Sequence, residues 1–177
     1  EIVRGGIDNL SNVRKDVVTN IEFGYKLATP LLGMFATLFQ TEFDNVPFQD
    51  ILADGSTIVR RAGTRTRGIE LEGVLQPLDA LEIRFSITQQ DPKYTSFSGA
   101  DGDNTGNTIR RIPKSMIRIT PTYAFLDERA KLFATVTRAG KRYANDENTI
   151  ELPTYTKLDA GVLFDVNETW SVQVSGE

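Results

Sequence analysis

Glu70 and Glu72 stand two residues apart, so in an extended chain both carboxylates fall on one face of a strand, the placement an acid/base pair would need. Spacing is all that supports such chemistry. Charged groups lining a solvated sheet face or a water-filled lumen give the same pattern without special geometry, and that plainer reading is preferred. The run Asp101-Gly102-Asp103-Asn104-Thr105-Gly106-Asn107 offers oxygen side chains and a glycine at spacings that suit a hard cation. Its register fails as a calcium loop, because Thr105 stands where an Asp or Asn is needed and Ile112 where the closing Glu belongs. A flexible glycine-rich loop is expected there, with no metal. Three basic clusters follow: Arg60, Arg61, Arg65 and Arg67; Arg110 and Arg111; and Arg138, Lys141 and Arg142 with Tyr143. Guanidinium groups grip carboxylate or phosphate in a bidentate manner, so apart from Arg67 these are the candidate ligand-binding residues. The plainer readings are contact with lipopolysaccharide phosphates or solubility.

Composition narrows the chemistry further. The 177 residues include no Cys and no His, which removes thiol nucleophiles, disulfides, Cys/His zinc sites and imidazole bases. No enzyme activity and no cofactor are expected. Twenty Lys and Arg against 24 Asp and Glu leave a net charge of -4, without the basic excess a nucleic-acid partner demands. The most apolar stretch, Leu27 to Phe39, is broken by Pro30 and Gly33 and is shorter than the roughly 20 apolar residues of a spanning helix. The start, Glu1-Ile2-Val3-Arg4-Gly5, carries no secretion signal, and the true N-terminus is expected upstream.

The elements that position these residues are strands. Apolar and polar residues alternate with a period of two: Ile21, Phe23, Tyr25 and Leu27 against Glu22, Gly24 and Lys26; Ile69, Leu71 and Leu75 against Glu70, Glu72 and Gln76; Leu81, Ile83, Phe85 and Ile87 against Glu82 and Arg84. Ile117 and Ile119 flank Arg118, Leu158 and Ala160 flank Asp159, and Trp170, Val172 and Val174 close the series. Two segments break the rule: Phe35, Phe39 and Phe43 share a parity with Thr37 and Thr41, and Phe133 joins the polar parity of its strand. Tight turns are expected at Thr29-Pro30, Pro77-Leu78-Asp79, Asp127-Glu128 and Asn167-Glu168. Long polar loops are expected over residues 45–63, 91–113 and 139–153. Short and long connections thus alternate around about eight antiparallel strands, the asymmetry of an all-β transmembrane barrel with tight periplasmic turns and long outer loops. Aromatics near apolar strand ends, Tyr25, Phe125, Phe164 and Trp170, suit interfacial girdles.

Several stretches then resemble one family. Glu22-Phe23-Gly24-Tyr25-Lys26 and Leu38-Phe39-Gln40-Thr41-Glu42-Phe43-Asp44-Asn45 are similar to a late barrel hairpin of TonB-dependent outer-membrane receptors. Thr66-Arg67-Gly68-Ile69-Glu70-Leu71-Glu72-Gly73 resembles the family's Gly-hydrophobic-Glu-hydrophobic-Glu strand, and Leu152-Pro153-Thr154-Tyr155-Thr156-Lys157-Leu158-Asp159-Ala160-Gly161 a strand after a late outer loop. The order and spacing of these stretches over residues 20 to 177 carry the resemblance.

The resemblance implies that residues 1–177 are about eight strands of a barrel of about 22, with the N-terminal plug domain, the TonB box and the closing strands absent. It implies uptake of a scarce nutrient, most often a ferric siderophore, across the bacterial outer membrane, powered by the TonB complex acting on the plug. Lipid, lipopolysaccharide and a small-molecule or chelate ligand are the implied partners. Glu22, Lys26, Glu70, Glu72, Glu82, Arg84, Arg118 and Asp159 are expected to face the lumen. The competing readings are a passive channel or small closed barrel of eight strands, and a soluble β-sandwich module that binds carbohydrate or mediates adhesion.

Overall fold

The computed structural model describes residues 16–51, 55–99 and 102–177. The strands are β1 (Val17–Ala28), β2 (Leu32–Ile51), β3 (Thr57–Leu78), β4 (Leu81–Ser96), β5 (Ser98–Gly99), β6 (Gly102–Asp103), β7 (Ser115–Phe125), β8 (Ala130–Ala139), β9 (Arg142–Tyr143), β10 (Glu151–Leu152), β11 (Tyr155–Asp165) and β12 (Ser171–Gly176). Eight of them form one sheet in the order β1-β2-β3-β4-β7-β8-β11-β12, each antiparallel to the next. β5 pairs with β6, and β9 with β10, as small hairpins outside it.

Register converts the period-two alternation into two faces. Phe23, Leu38 and Ile69 are cross-strand partners in one row; Leu71, Ile87 and Ile117 follow in the next, and Ile119, Val136 and Leu158 below them. No described element covers this apolar face: Phe23 is 73% exposed, Ile21 63% and Leu158 58%. Such a face in water would be a large aggregation surface, and only a hydrocarbon solvent makes it favourable. A β-sandwich, which buries one apolar face against a second sheet, is therefore not the architecture. β1 and β12 are the sheet's two edges and do not pair with each other, so the eight strands do not close into a small barrel.

The upper limit of the apolar band moves along the strands. Counted from the tight turns, the outward apolar run meets its first polar residue after Ile21 on β1, Leu38 on β2, Ile69 on β3, Ile87 on β4, Ile117 on β7, Val136 on β8 and Leu158 on β11. Followed through the cross-strand pairs, this limit falls about one row for every two strands. A level band crosses tilted strands in this way, as the stagger of a membrane barrel requires. At the other end Tyr25, Tyr123, Phe125, Phe164 and Trp170 gather near the tight turns, with Tyr123 and Phe125 stacked at 6.4 Å between ring centroids.

Two phenylalanines of the polar parity face glycines. Phe39 lies opposite Gly68, and Phe133 opposite Gly161. A Cβ on Gly68 would meet the Phe39 ring at 2.9 Å, and one on Gly161 the Phe133 ring at 2.6 Å. The ring lies across the neighbouring strand where a side chain is missing, so a large apolar group is accommodated on a charged face.

Tight turns occur where turn residues predict them. That after β7 carries positive φ at Leu126, Asp127 and Glu128, and the Arg129 amide donates to the Leu126 carbonyl at 3.1 Å. Two of the three long connections differ from expectation. Residues 45–63 are mostly hairpin, because β2 and β3 remain paired from Val46–Ala62 out to Ile51–Thr57 beyond a bulge between Phe43 and Val46, where Asn45 has φ 63°. Polar side chains do not end a ladder that stands in water, since both of its faces can be solvated. β4 likewise runs to Ser96, deep into the expected 91–113 loop. Beyond it Phe97 and Ile109 are buried together with Tyr94 and Ala62, and Ile112 packs against them, while Asp101 of the expected glycine-rich loop lies outside the described residues.

Candidate functional site

The polar face is one continuous surface. Register places Glu22, Lys26, Glu70, Glu72, Glu82, Arg84, Arg118 and Asp159 on it together. One row reads Lys26, Phe35, Glu72, Ser86, Arg118, Thr137 and Lys157 across successive strands. The Lys26 ammonium sits 5.1 Å above the Phe35 ring, and Glu82 accepts from Arg84 Nε at 2.8 Å. Thr120 and Thr135 share a hydroxyl hydrogen bond of 3.0 Å where Pro121 interrupts the β7–β8 ladder. Glu70 and Glu72 oppose Thr88 and Ser86 in successive rows of a face of mixed charge. Among the described residues no group of three or more acidic side chains could hold a metal ion.

At the other end of the long strands the connections β4–β7 and β8–β11 dock onto each other. The Tyr94 hydroxyl donates to Asp146 Oδ1 at 2.6 Å, and Arg110 Nη1 lies 3.5 Å from Asp146 Oδ2. Asn107 Nδ2 donates to the Asp146 carbonyl at 3.0 Å. Asn148, in the left-handed region at φ 58°, accepts from the Thr108 amide at 2.7 Å and donates to the Thr108 carbonyl at 2.8 Å. The Arg111 amide donates to the Tyr143 carbonyl at 2.7 Å. Burial, then the hydrogen bond and negative charge of Asp146, push the Tyr94 phenol well above its ordinary range. None of Tyr94, Asp146 and Asn148 stands out in the sequence. Asn145-Asp146-Glu147-Asn148 reads there as a solvated loop, and its partners are known only once the two connections meet.

The basic candidates separate. Arg110 is tied to Asp146, and Lys141 to Glu151 at 2.9 Å, which raises the Lys141 pKa. Arg142 lies 5.1 Å above the Tyr155 ring and reaches the Pro153 carbonyl, while Arg111 is exposed with φ 64°. Tyr143 pairs with Glu151 in the β9–β10 hairpin. Arg61 donates to the Asn45 carbonyl at 3.0 Å and pairs with Asp16 at 3.4 Å. Arg60 shares a parity with the buried Ala62 on the polar side of β3. Arg65 and Arg138 are on the opposite side of the wall: Arg65 pairs with Glu42 and Lys93, and Arg138 with Ile117, all of the apolar-face parity. Parity along each strand carried this signal, and clustering along the chain concealed it.

Residues 5–177 match the family model described as TonB dependent receptor-like, beta-barrel. The chain is 33% identical over 116 residues to the ferrichrome receptor FcuA of Yersinia enterocolitica, covering 62% of this chain and 15% of that protein. It is 32% identical over 111 residues to a ferrioxamine receptor of the same organism, covering 63% and 15%. The crystal structure of the ferric yersiniabactin uptake receptor FyuA of Yersinia pestis superposes with a TM-score of 0.72 at 16% identity, covering 90% of this chain and 24% of that one. These relatives are receptors, and the chain spans about 15% of the length of the curated ones it matches. The uncovered apolar face, the falling band and the ordered motifs have one account: the chain belongs to the TonB-dependent receptor β-barrel family, as eight neighbouring strands of a 22-strand type of barrel in the bacterial outer membrane.

Proposed function

We propose that this segment is wall, lumen lining and outer loops of a receptor that imports a ferric siderophore through the TonB system, and that it performs no covalent chemistry. The latched pair of connections β4–β7 and β8–β11 is the observation that carries the reading. Tyr94–Asp146 and Thr108–Asn148 hold Arg110, Arg111, Lys141, Arg142 and Tyr143 on one folded cap, so a small anionic chelate would meet fixed donors and not free loops. Arg60 is on the polar parity of β3, one inward side chain beyond the buried Ala62. The charged face that carries Glu22, Lys26, Glu70, Glu72, Glu82, Arg84, Arg118 and Asp159 lines the lumen and meets a plug domain on which TonB acts. The names of the relatives, receptors for ferrichrome and ferrioxamine, support iron chelates as the ligand class. Outer-membrane lipid and lipopolysaccharide surround the apolar band.

The test is uptake of radiolabelled ferrichrome and ferrioxamine by iron-starved cells that have the intact receptor as their sole route for these chelates. Accumulation is expected with TonB present and none in a TonB-null strain. Uptake independent of TonB, or no uptake of any ferric siderophore in a panel, would overturn the reading.

A further inference from the structure

We propose that the connections β4–β7 and β8–β11 fold inward as one plate over the lumen side of β3 and β4, and that this plate stays shut throughout transport. The proposal rests on the reading that the polar face lines the lumen of an importer.

Parity gives the side. Ala62 and Thr64 share a parity with Glu70 and Glu72 along β3, and Pro92 and Tyr94 share one with Glu82 and Arg84 along β4. Thr64 pairs with Tyr94 in the same register as Glu72 with Ser86, so no bulge between them turns these side chains outward. Lower on this face Glu70, Arg84 and Ser86 are exposed, whereas Ala62 and Tyr94 are each 1% exposed and Pro92 is fully buried. The inner side of the wall is therefore covered at its outer end.

Both connections supply the cover. Phe97 and Ile109 are buried against Ala62 and Tyr94, with the Phe97 and Tyr94 rings 4.8 Å apart. The Asn104 amide donates to the Phe97 carbonyl at 2.8 Å and ties the β5–β6 hairpin to this cluster. From β8–β11, the Asp146 carboxylate accepts from the Tyr94 hydroxyl, and the Asp146 carbonyl accepts from the side chain of Asn107, which lies opposite Tyr94 where the ladder continues past Lys93 and Thr108. Both donors are inward side chains, so Asp146 is on the lumen side as well.

The plate has the makeup of a fixed part and not of a gate. Segments that open repeatedly have few buried apolar contacts and solvated hydrogen bonds. Opening here would put Phe97, Ile109 and Ala62 into water together and separate Tyr94, Asn107 and Thr108 from their partners on β8–β11. The ligand's path is thereby closed on the β3–β4 side of the mouth and runs past other strands of the barrel.

The test is labelling of whole cells with a membrane-impermeant maleimide, using the intact receptor with Ala62→Cys; this segment has no cysteine of its own. Val59→Cys, at a position 64% exposed, is the accessible control. Ala62→Cys is expected to react at under about a tenth of the control rate, both at rest and during TonB-driven ferrichrome uptake. Adding Phe97→Ser should speed the Ala62→Cys reaction about tenfold or more. Should Ala62→Cys fail to fold, Thr64→Cys, on the same face and buried, takes its place with the same expectations. Labelling at the control rate in resting cells overturns the proposal, since the plate would not lie on the lumen side. Protection lost only in energised cells supplied with ferrichrome also overturns it, because the plate would then be a gate. So does protection that survives Phe97→Ser, which would place the cover elsewhere. Failure of the uptake reading would appear separately, as TonB-independent or absent transport with Ala62→Cys still protected at rest.

Discussion

The ring of Phe133 lies across Gly161 on the neighbouring strand so closely that a Cβ there would sit 2.6 Å from Phe133 Cζ and 2.7 Å from the Val174 carbonyl oxygen. The pair stitches β8 to β11 on the charged face and accounts for a phenylalanine in a polar parity. Gly161→Ala is expected to overpack this contact and destabilise the barrel by about 1–3 kcal/mol. Phe133→Leu in the same chain should recover part of the loss. Urea unfolding of the intact receptor in lipid, run as a double-mutant cycle, measures both; additive effects would show that the two residues do not interact.

The two faces of β3 predict opposite responses to one substitution at adjacent positions. Leu71→Arg puts a cation in the apolar band and is expected to cost about 2–4 kcal/mol, whereas Glu72→Arg, on the polar face, should cost under about 1 kcal/mol. Yield of heat-modifiable folded barrel in the outer membrane, followed by unfolding in lipid, ranks the two. A reversed order would mean that the faces are assigned the wrong way round.

Asn148 holds the two connections together through paired hydrogen bonds to Thr108 and occupies a backbone conformation that asparagine tolerates better than most residues. Asn148→Ala should release this latch at about 1–3 kcal/mol, without touching the sheet. Hydrogen exchange is expected to speed up at the Thr108 amide and around residues 104–110 and 143–150, leaving β7 and β8 unchanged. Uniform acceleration over the whole sheet would contradict a local role.

Tyr94 gives the cap a pH response of defined sign. Its pKa is raised in the folded state, so the folded form favours the neutral phenol, and this contribution is complete below the unfolded value of about 10. It is lost progressively as pH rises from there through the higher folded value. Wild type and Tyr94→Phe should therefore show the same tyrosinate absorbance change up to about pH 11 and diverge only when the protein unfolds. An earlier difference between them would place Tyr94 in contact with solvent.

The sequence by itself determined the strands, their two faces and the residues on each, because side chains alternate along any extended chain and the apolar and charged residues of this one alternate with it. Glu22, Lys26, Glu70, Glu72, Glu82, Arg84, Arg118 and Asp159 are on one face for that reason alone. It also marked the tight turns, whose chemistry is local. The tertiary structure decided what depends on partners far apart in the chain. Cross-strand register set Phe133 against Gly161 and aligned the apolar band, putting Arg65 and Arg138 at its outer rim although they lie among other basic residues in sequence. Pairing carried β2 and β3 outward through residues that read as loop, since a hairpin in water needs no apolar face. The cap built by Tyr94, Asp146, Thr108 and Asn148 joins residues about 40 to 50 positions apart through hydrogen bonds that no local pattern announces.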